Sequence, residues 1–195
     1  MAKHEITSSD ILPPEQYAAE RRAHRRRVGE LKRSRRVEVG PFVTFYFESF
    51  ETMWLQVQEM LHIERGGEAQ LADELAAYNP MIPNGSELSA TVMIEIEDAE
   101  RRNAQLMQLG GIEHKMFLSI AGETVRGLAD PTRENTSPEG KASSVQFLKF
   151  PLTSARKAKF RTPGTHVVIG IDHPNYGHMA VMPEPVRAAL AGDLD

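Results

Sequence analysis

The chain has 195 residues, with 23 Lys and Arg against 27 Asp and Glu, giving a net charge of −4. It contains no cysteine, which excludes disulfides, thiolate zinc sites, iron–sulfur ligation and a cysteine nucleophile; any metal would have to be held by His, Asp and Glu. No apolar run approaches the roughly 18 residues of a membrane span and the polar N-terminus is no signal peptide, so the expected location is cytoplasmic, with no membrane partner.

The length fits a single domain over residues 1–195, made of a basic helical arm (1–36) and an α+β body (37–195). The charge is uneven. From Glu15 to Arg36 nine Lys or Arg stand against three Glu, so that segment carries +6 and the remainder −10. A basic arm on an acidic body can bind an anionic partner or its own body.

Ser9, Asp10, Pro13 and Pro14 form a helix entrance, and helix formers continue from Glu15 to about Arg36. The apolar stripe of this helix is thin: Tyr17, Val28 and Leu31, with His24 at the same spacing. A homodimer built on that stripe is one expectation. Val37–Gly40 and Phe42–Phe47 are β-branched and aromatic, a strand broken at Gly40-Pro41. Phe50, Met53, Trp54, Val57, Met60 and Leu61 then recur at helical spacing to about Arg65. Gly66 and Gly67 stop that helix, and a shorter one runs from Glu68 to about Tyr78.

Leu88, Ala90, Val92, Ile94 and Ile96 alternate with polar neighbours and Met93, the clearest strand in the chain. Asp98 caps a helix through Leu109. Hairpins are expected at 116–128 around Ala121-Gly122 and at 166–182, with a strand over 145–152 between them. The polar stretch Asp130–Ser144 is long enough for a lid or a disordered loop. A short helix follows Pro183 and Pro185. Helices first and strands later predict an α+β fold: an antiparallel sheet of about five to seven strands, with the N-terminal helices on one side.

Four constellations could carry chemistry. In His173-Pro174-Asn175-Tyr176-Gly177-His178, a four-residue loop would oppose the two histidines, so both could reach one divalent metal with Glu95, Glu97, His114 or His166 as further ligands. The plain alternative is a good turn with solvated histidines. Glu59 and His62 lie three apart on a helix, the spacing of di-iron carboxylate bundles, but the chain has no second Glu-x-x-His. Glu95 and Glu97 would share a strand face, as a paired acid–base site or as solvated carboxylates. The arginines Arg21, Arg22, Arg25, Arg26, Arg35 and Arg36 could track an anion or partner; without interleaved aromatics or a DNA-binding motif, nucleic acid is the less favoured partner.

The stretches Arg35–Gly40, Phe47-Glu48, Thr52-Met53, Gln56–Leu61, Tyr78-Asn79-Pro80, Ala90–Ile96 and Ser143–Phe150 resemble an uncharacterised bacterial family known only as a domain of unknown function. The resemblance spans about Pro14 to Val186, and Gln58-Glu59-Met60-Leu61 lies in its most distinctive block. Genes of that family often stand beside rubrerythrin-like and iron–sulfur proteins, which implies a redox or iron–sulfur partner and a place in oxidative-stress defence. In that family an arginine tends to occupy the position of His62, which weakens Glu59/His62 as a metal pair. Gln56 and Glu59 share a helix face, expected to line a pocket against the strand that carries Glu95. With no complete catalytic constellation, a non-catalytic binding or accessory protein is the favoured expectation. A metal-dependent enzyme is the alternative.

Overall fold

The computed structural model describes residues 3–195. Extended Pro13 leads into α1 (Pro14–Arg33), with Pro14 in the first turn, where its missing N–H costs no hydrogen bond. The chain then forms β1 (Arg36–Val39), β2 (Val43–Phe47), α2 (Phe50–Glu64), α3 (Gly67–Tyr78) and β3 (Glu87–Ile94). Next come α4 (Ala99–Met107), β4 (Met116–Ile120), β5 (Glu123–Arg126), β6 (Leu128–Ala129) and β7 (Val145–Pro151). It ends with α5 (Ser154–Arg161), β8 (Val167–His173), β9 (Tyr176–Val181) and α6 (Glu184–Ala191).

The fold is α+β, and its strands are antiparallel, but they form two sheets rather than one. Five strands lie in the order β1-β2-β3-β7-β6 and four in the order β5-β4-β8-β9. Two local features raise the strand count above the sequence expectation. Gly40 adopts φ 74° and turns the expected broken strand into the β1–β2 hairpin, with Val39 opposite Val43. At Gly127 the chain leaves the four-stranded sheet, where Phe117 faces Arg126, and enters the other, where Leu128 faces Lys149. A Cβ there would meet the Phe150 ring at 3.1 Å, so a larger residue could make the crossing only by displacing that ring a few tenths of an ångström.

Strand alternation sends one face of each sheet into a shared core. Val39, Phe45, Val92 and Phe150 come from the five-stranded sheet and Leu118, Ile120, Ile169 and Ile171 from the other. Phe160 of α5 and Leu190 of α6 join them. Helix α5 carries no apolar stripe visible in the sequence; the Thr153 side chain starts it by accepting from the Arg156 amide.

The N-terminal helices form a layer with its own apolar cluster: Ile6, Tyr17, Met53, Trp54, Val57 and Ile82, with Phe147 of β7 partly buried against it. Only the sheet face turned away from the shared core can supply Phe147, since its neighbours Gln146 and Leu148 point inward. Glu48 joins the layers, its carboxylate accepting from the hydroxyls of Thr52 on α2 and Thr91 on β3, each at 2.6 Å. The sole tryptophan, Trp54, donates its indole N–H to the Asp10 carbonyl at 2.8 Å and ties down the segment before α1.

The 130–144 segment is fastened at several points. Thr136 donates to Glu113 and accepts from the Gly111 amide at 2.9 Å. The buried Gln146 amide holds the carbonyls of Asn135 and Ser143 at 2.9 and 3.0 Å. Among the described residues, no helix is long and apolar enough to cross a membrane.

Candidate functional site

Helix α2 has two working faces. Met53, Trp54 and Val57 repeat at three- and four-residue steps and enter the helical-layer core. Gln58, Leu61, His62 and Arg65 follow the same spacing one position on, and this second stripe borders a cleft of about 610 Å³. Small-molecule sites occupy roughly 300–1,000 Å³, so the cleft is large enough for a ligand.

The cleft is closed on one side by Ile11, Leu12 and the first turn of α1, and on the other by Leu61 of α2 and Leu71 of α3. Its position depends on two backbone turns. Arg65 takes a left-handed conformation (φ 56°) that ends α2, and Gly67 (φ 72°) starts α3 at once. The two helices are therefore joined by a tight connection, and both Leu61 and Leu71 reach the cleft. Glu15, His62, Arg65 and Glu68 line its polar parts.

Gln58 lines the cleft and is 2% exposed, yet its side-chain amide Nε2 has no hydrogen-bond partner. Buried polar groups are nearly always paired, because leaving one unpaired costs about 1–3 kcal/mol. The Nε2 atom is itself closed to solvent, so it stands as an unsatisfied donor inside the helical layer.

Next to Gln58, Glu59 turns to α1. Arg21 grips its carboxylate in two-pronged fashion, Nε to Oε1 at 2.9 Å and an Nη to Oε2 at 2.8 Å, while the Tyr17 hydroxyl donates to Oε1 at 2.5 Å. The Arg21 hydrogen bonds hold the Glu59 carboxyl down at about 2, even though burial acts the other way. Burial, reinforced by the Glu59 carboxylate, pushes the Tyr17 hydroxyl well above the usual tyrosine range. His24 stacks on the Tyr17 ring with centroids 6.0 Å apart, and His62 meets that ring edge-on at 5.8 Å. Glu59 thus commits three of its roughly four acceptor sites to joining α1 to α2, and the metal pairing of Glu59 with His62 is corrected: its carboxylate is drawn to Arg21 and Tyr17 of α1.

The other candidates do not gather around the cleft. Gln56 faces α3, its amide 3.4 Å from the Tyr78 hydroxyl. Glu95 and Glu97 lie past the end of β3; Glu95 accepts from Thr44 at 2.7 Å and Tyr46 at 3.0 Å. The expected pocket between Gln56, Glu59 and Glu95 is therefore not formed, because Glu59 is drawn to α1 and Glu95 to β2.

The opposed-histidine geometry is also corrected. In the β8–β9 hairpin His173 faces Tyr176, and His178 faces Ile171. The loop is two residues, not four, because Tyr176 is itself in the ladder. His173 is 8% exposed; its Nδ1 accepts from the Asn175 amide and its Nε2 donates to the Gly110 carbonyl, both at 3.2 Å. His178 packs its ring on Tyr176 at 4.5 Å. His114 sits on an exposed turn 3.8 Å from Glu113, and His166 is exposed ahead of β8. Among the described residues no group of three or more His, Asp or Glu side chains is gathered to hold a metal ion.

The six arginines divide. Arg21 is spent on Glu59. Arg35 is 4% exposed and is spent on the Phe47 and Glu48 carbonyls and on Asp193. A hollow of about 300 Å³ borders Arg35, whose Nε and one Nη are committed to these partners. Arg22, Arg25, Arg26 and Arg36 are exposed.

Fold and cleft define a class: an α+β protein of two antiparallel sheets whose helical layer carries a mainly apolar cleft. The chain belongs to the family described as "Protein of unknown function (DUF3501)", whose model matches residues 5–194. The crystal structure, at 1.90 Å resolution, of a novel protein of unknown function from Burkholderia pseudomallei K96243 is similar over 97% of this chain and 99% of its own, with 41% identity and a TM-score of 0.90. Among curated proteins none matches the chain.

Proposed function

We propose that this is a non-catalytic binding protein whose helical layer holds a small, mainly apolar molecule in the cleft between α1, α2 and α3. One observation carries the reading: the cleft of about 610 Å³ is walled mainly by apolar side chains, Ile11, Leu12, Leu61 and Leu71 among them. Leucine and isoleucine walls supply affinity through burial, at about 25 cal/mol per Å² of apolar surface, and a polar group fixes orientation. Two titratable groups beside the cleft are committed to structure rather than chemistry. Glu59 is locked as a carboxylate by Arg21, and Tyr17 is held protonated, so neither exchanges a proton near neutral pH.

An accessory role beside a redox or iron–sulfur protein is compatible with this reading. With no cysteine, the chain offers no thiolate for a cluster of its own and would act by delivering or sensing the bound molecule.

Nile red, a neutral dye that brightens in apolar surroundings, tests the proposal. The parent protein is expected to bind about one equivalent saturably. Leu71→Arg, which places a charge in the wall, is expected to abolish binding while the circular dichroism and melting curve stay close to parental. Absence of saturable binding by the parent, or equal binding by Leu71→Arg, would overturn the reading.

A further inference from the structure

We propose that the cationic stripe of α1 seats in the major groove of duplex DNA and holds phosphates on both groove walls. This activity is separate from the cleft and does not rest on it.

The basic run that ends at Arg36 could serve an outside anion or the acidic body of its own chain. The side chains decide between the two. Arg21 reaches Glu59, and Arg35, beyond the helix, reaches Asp193. Arg33 pairs with Glu30, one turn back on α1 itself. Arg22, Arg25, Arg26 and Lys32 are exposed, and among the described residues none of the four makes an ion pair or a side-chain hydrogen bond. The body thus takes up two arginines and leaves these four cations to solvent. Like charges three and four residues apart on a helix repel, so a counter-charge from outside the chain has work to do here.

The four are placed regularly. On a helix of 3.6 residues per turn, Arg22 and Arg26 lie about 20° and 60° to one side of Gly29, and Arg25 and Lys32 about 40° and 60° to the other. Gly29 is exposed, and no atom lies within 4 Å of where a Cβ would stand. The middle of the stripe is therefore open, with two cations on each flank. Helix α1 packs chiefly on α2, which leaves this side uncovered.

The chemistry of the stripe selects its partner. The exposed large hydrophobic residues, such as Ile63, Met179 and Val181, all lie off α1, which turns Tyr17 and Val28 inward. A helix that lies on a membrane needs an apolar face to insert, and a protein interface needs an apolar or aromatic centre. A second copy of the stripe would only repel it. A cationic, strongly polar surface suits a nucleic-acid backbone, whose phosphates match the guanidinium fork. Single strands are held by stacking bases on aromatic rings, and the one tyrosine of α1 is 1% exposed. The major groove of B-DNA, about 12 Å wide, admits a helix about 10–12 Å across, whereas that of A-form RNA is too narrow. The flanks of Gly29 then face the two phosphate walls, and the acidic body keeps the rest of the molecule off the duplex.

Fluorescence anisotropy of a labelled DNA duplex of about 20 base pairs, titrated with the full chain, tests the proposal. Four phosphate contacts predict a log–log salt slope of about −4 and a roughly 150-fold loss of affinity between about 50 and 200 mM salt. Arg22→Gln/Arg25→Gln/Arg26→Gln is expected to bring the slope to about −1. Arg101→Gln/Lys115→Gln/Arg161→Gln removes the same charge from exposed positions elsewhere and is expected to keep the parental slope. No binding by the parent, or equal losses in the two triple variants, would overturn the proposal. Single-stranded DNA or duplex RNA bound as tightly as duplex DNA would overturn the groove geometry. Tighter binding to polyglutamate or to phosphatidylserine vesicles would replace DNA by an acidic protein or a membrane.

Discussion

Tyr17 on α1 donates its hydroxyl to Glu59 on α2 at 2.5 Å, joining residues 42 apart in the chain. Around this bond the helical layer is assembled. Tyr17 is 1% exposed, so it contributes apolar burial and a polar tether at once, and Arg21 one turn on closes the other side of the carboxylate. The cleft lies against the same turn of α1, so its shape depends on this tether.

Glu59→Gln removes the charge that Arg21 and Tyr17 converge on. The folded carboxyl sits at about 2 against an ordinary value of 4.5, so the charged form is favoured in the fold by about 2–3 kcal/mol after allowing for partial exposure. A loss of that size in urea unfolding at neutral pH is expected. The sign for pH follows from a depressed folded value. The contribution is complete above the unfolded value and is lost as pH falls from about 4.5 through about 2. Acid unfolding of Glu59→Gln should therefore be shallower than the parent's over that window; parallel curves would rule out the linkage. Tyr17 acts on the alkaline side. Its raised folded value means stability falls once pH passes the usual tyrosine range, near 10, and Tyr17→Phe should lose that limb.

Gly40→Ala addresses the β1–β2 turn. Gly40 has φ 74°, and a Cβ there would sit 2.6 Å from the Tyr176 hydroxyl and 2.7 Å from the His178 ring. That hydroxyl donates to the Val39 carbonyl at 2.7 Å, so it cannot withdraw without breaking a buried bond. A left-handed alanine and the clash together should cost about 2–4 kcal/mol, read as a lowered melting temperature. Tyr176→Phe in the alanine background relieves the closest contact and should recover part of the loss. Additive losses instead would place the strain elsewhere in the turn.

The fold was legible wherever hydrophobic periodicity was local. Alternation over 88–96 gave β3, and the three- and four-residue rhythm of Phe50–Leu61 gave α2 with its buried face. Asp98 does cap α4, accepting from the Arg101 amide at 2.7 Å. What escaped was set by partners distant in sequence. The division into two sheets turns on Gly127 and on Phe150, which lies 23 residues further along the chain. The fate of Glu59 was decided by Arg21, 38 residues earlier. A stripe of Gln58, Leu61, His62 and Arg65 was present in the sequence at helical spacing. With three polar members it looks like a solvated face, and only the arrival of Leu71 and Leu12 makes it a cleft wall. The histidine hairpin was misjudged by two ladder rungs, because Tyr176 has the apolar bulk to extend β9 into what looked like loop.

His173→Ala tests that hairpin directly. Both ring nitrogens are engaged with backbone, at 3.2 Å each, so the imidazole acts as a brace between Gly110 and Asn175. Loss of the brace should cost about 1–2 kcal/mol and raise hydrogen exchange at the Asn175 amide. Elemental analysis of parent and variant should give the same metal content. A stoichiometric metal in the parent that disappears in His173→Ala would revive the histidine site and place the ring in a different orientation.

The arginines of α1 and β1 offer a contrast between surface and interior. Arg22, Arg25 and Arg26 are exposed, and replacing all three with Gln should change stability by no more than about 0.5 kcal/mol per site. Arg35 has a side chain 5% exposed and paired with Asp193, whose carboxyl burial pushes above its usual range despite the neighbouring guanidinium. Arg35→Ala strands that carboxyl and two carbonyls, so it should cost about 3 kcal/mol. The exposed set has a separate readout. If those side chains meet an anionic partner, affinity for heparin at low salt should fall steeply in the triple variant, whereas Arg35→Ala, compared at a temperature where it is folded, should retain it. Equal heparin retention by the triple variant and the parent would show that the positive charge of α1 serves only the chain's own acidic body.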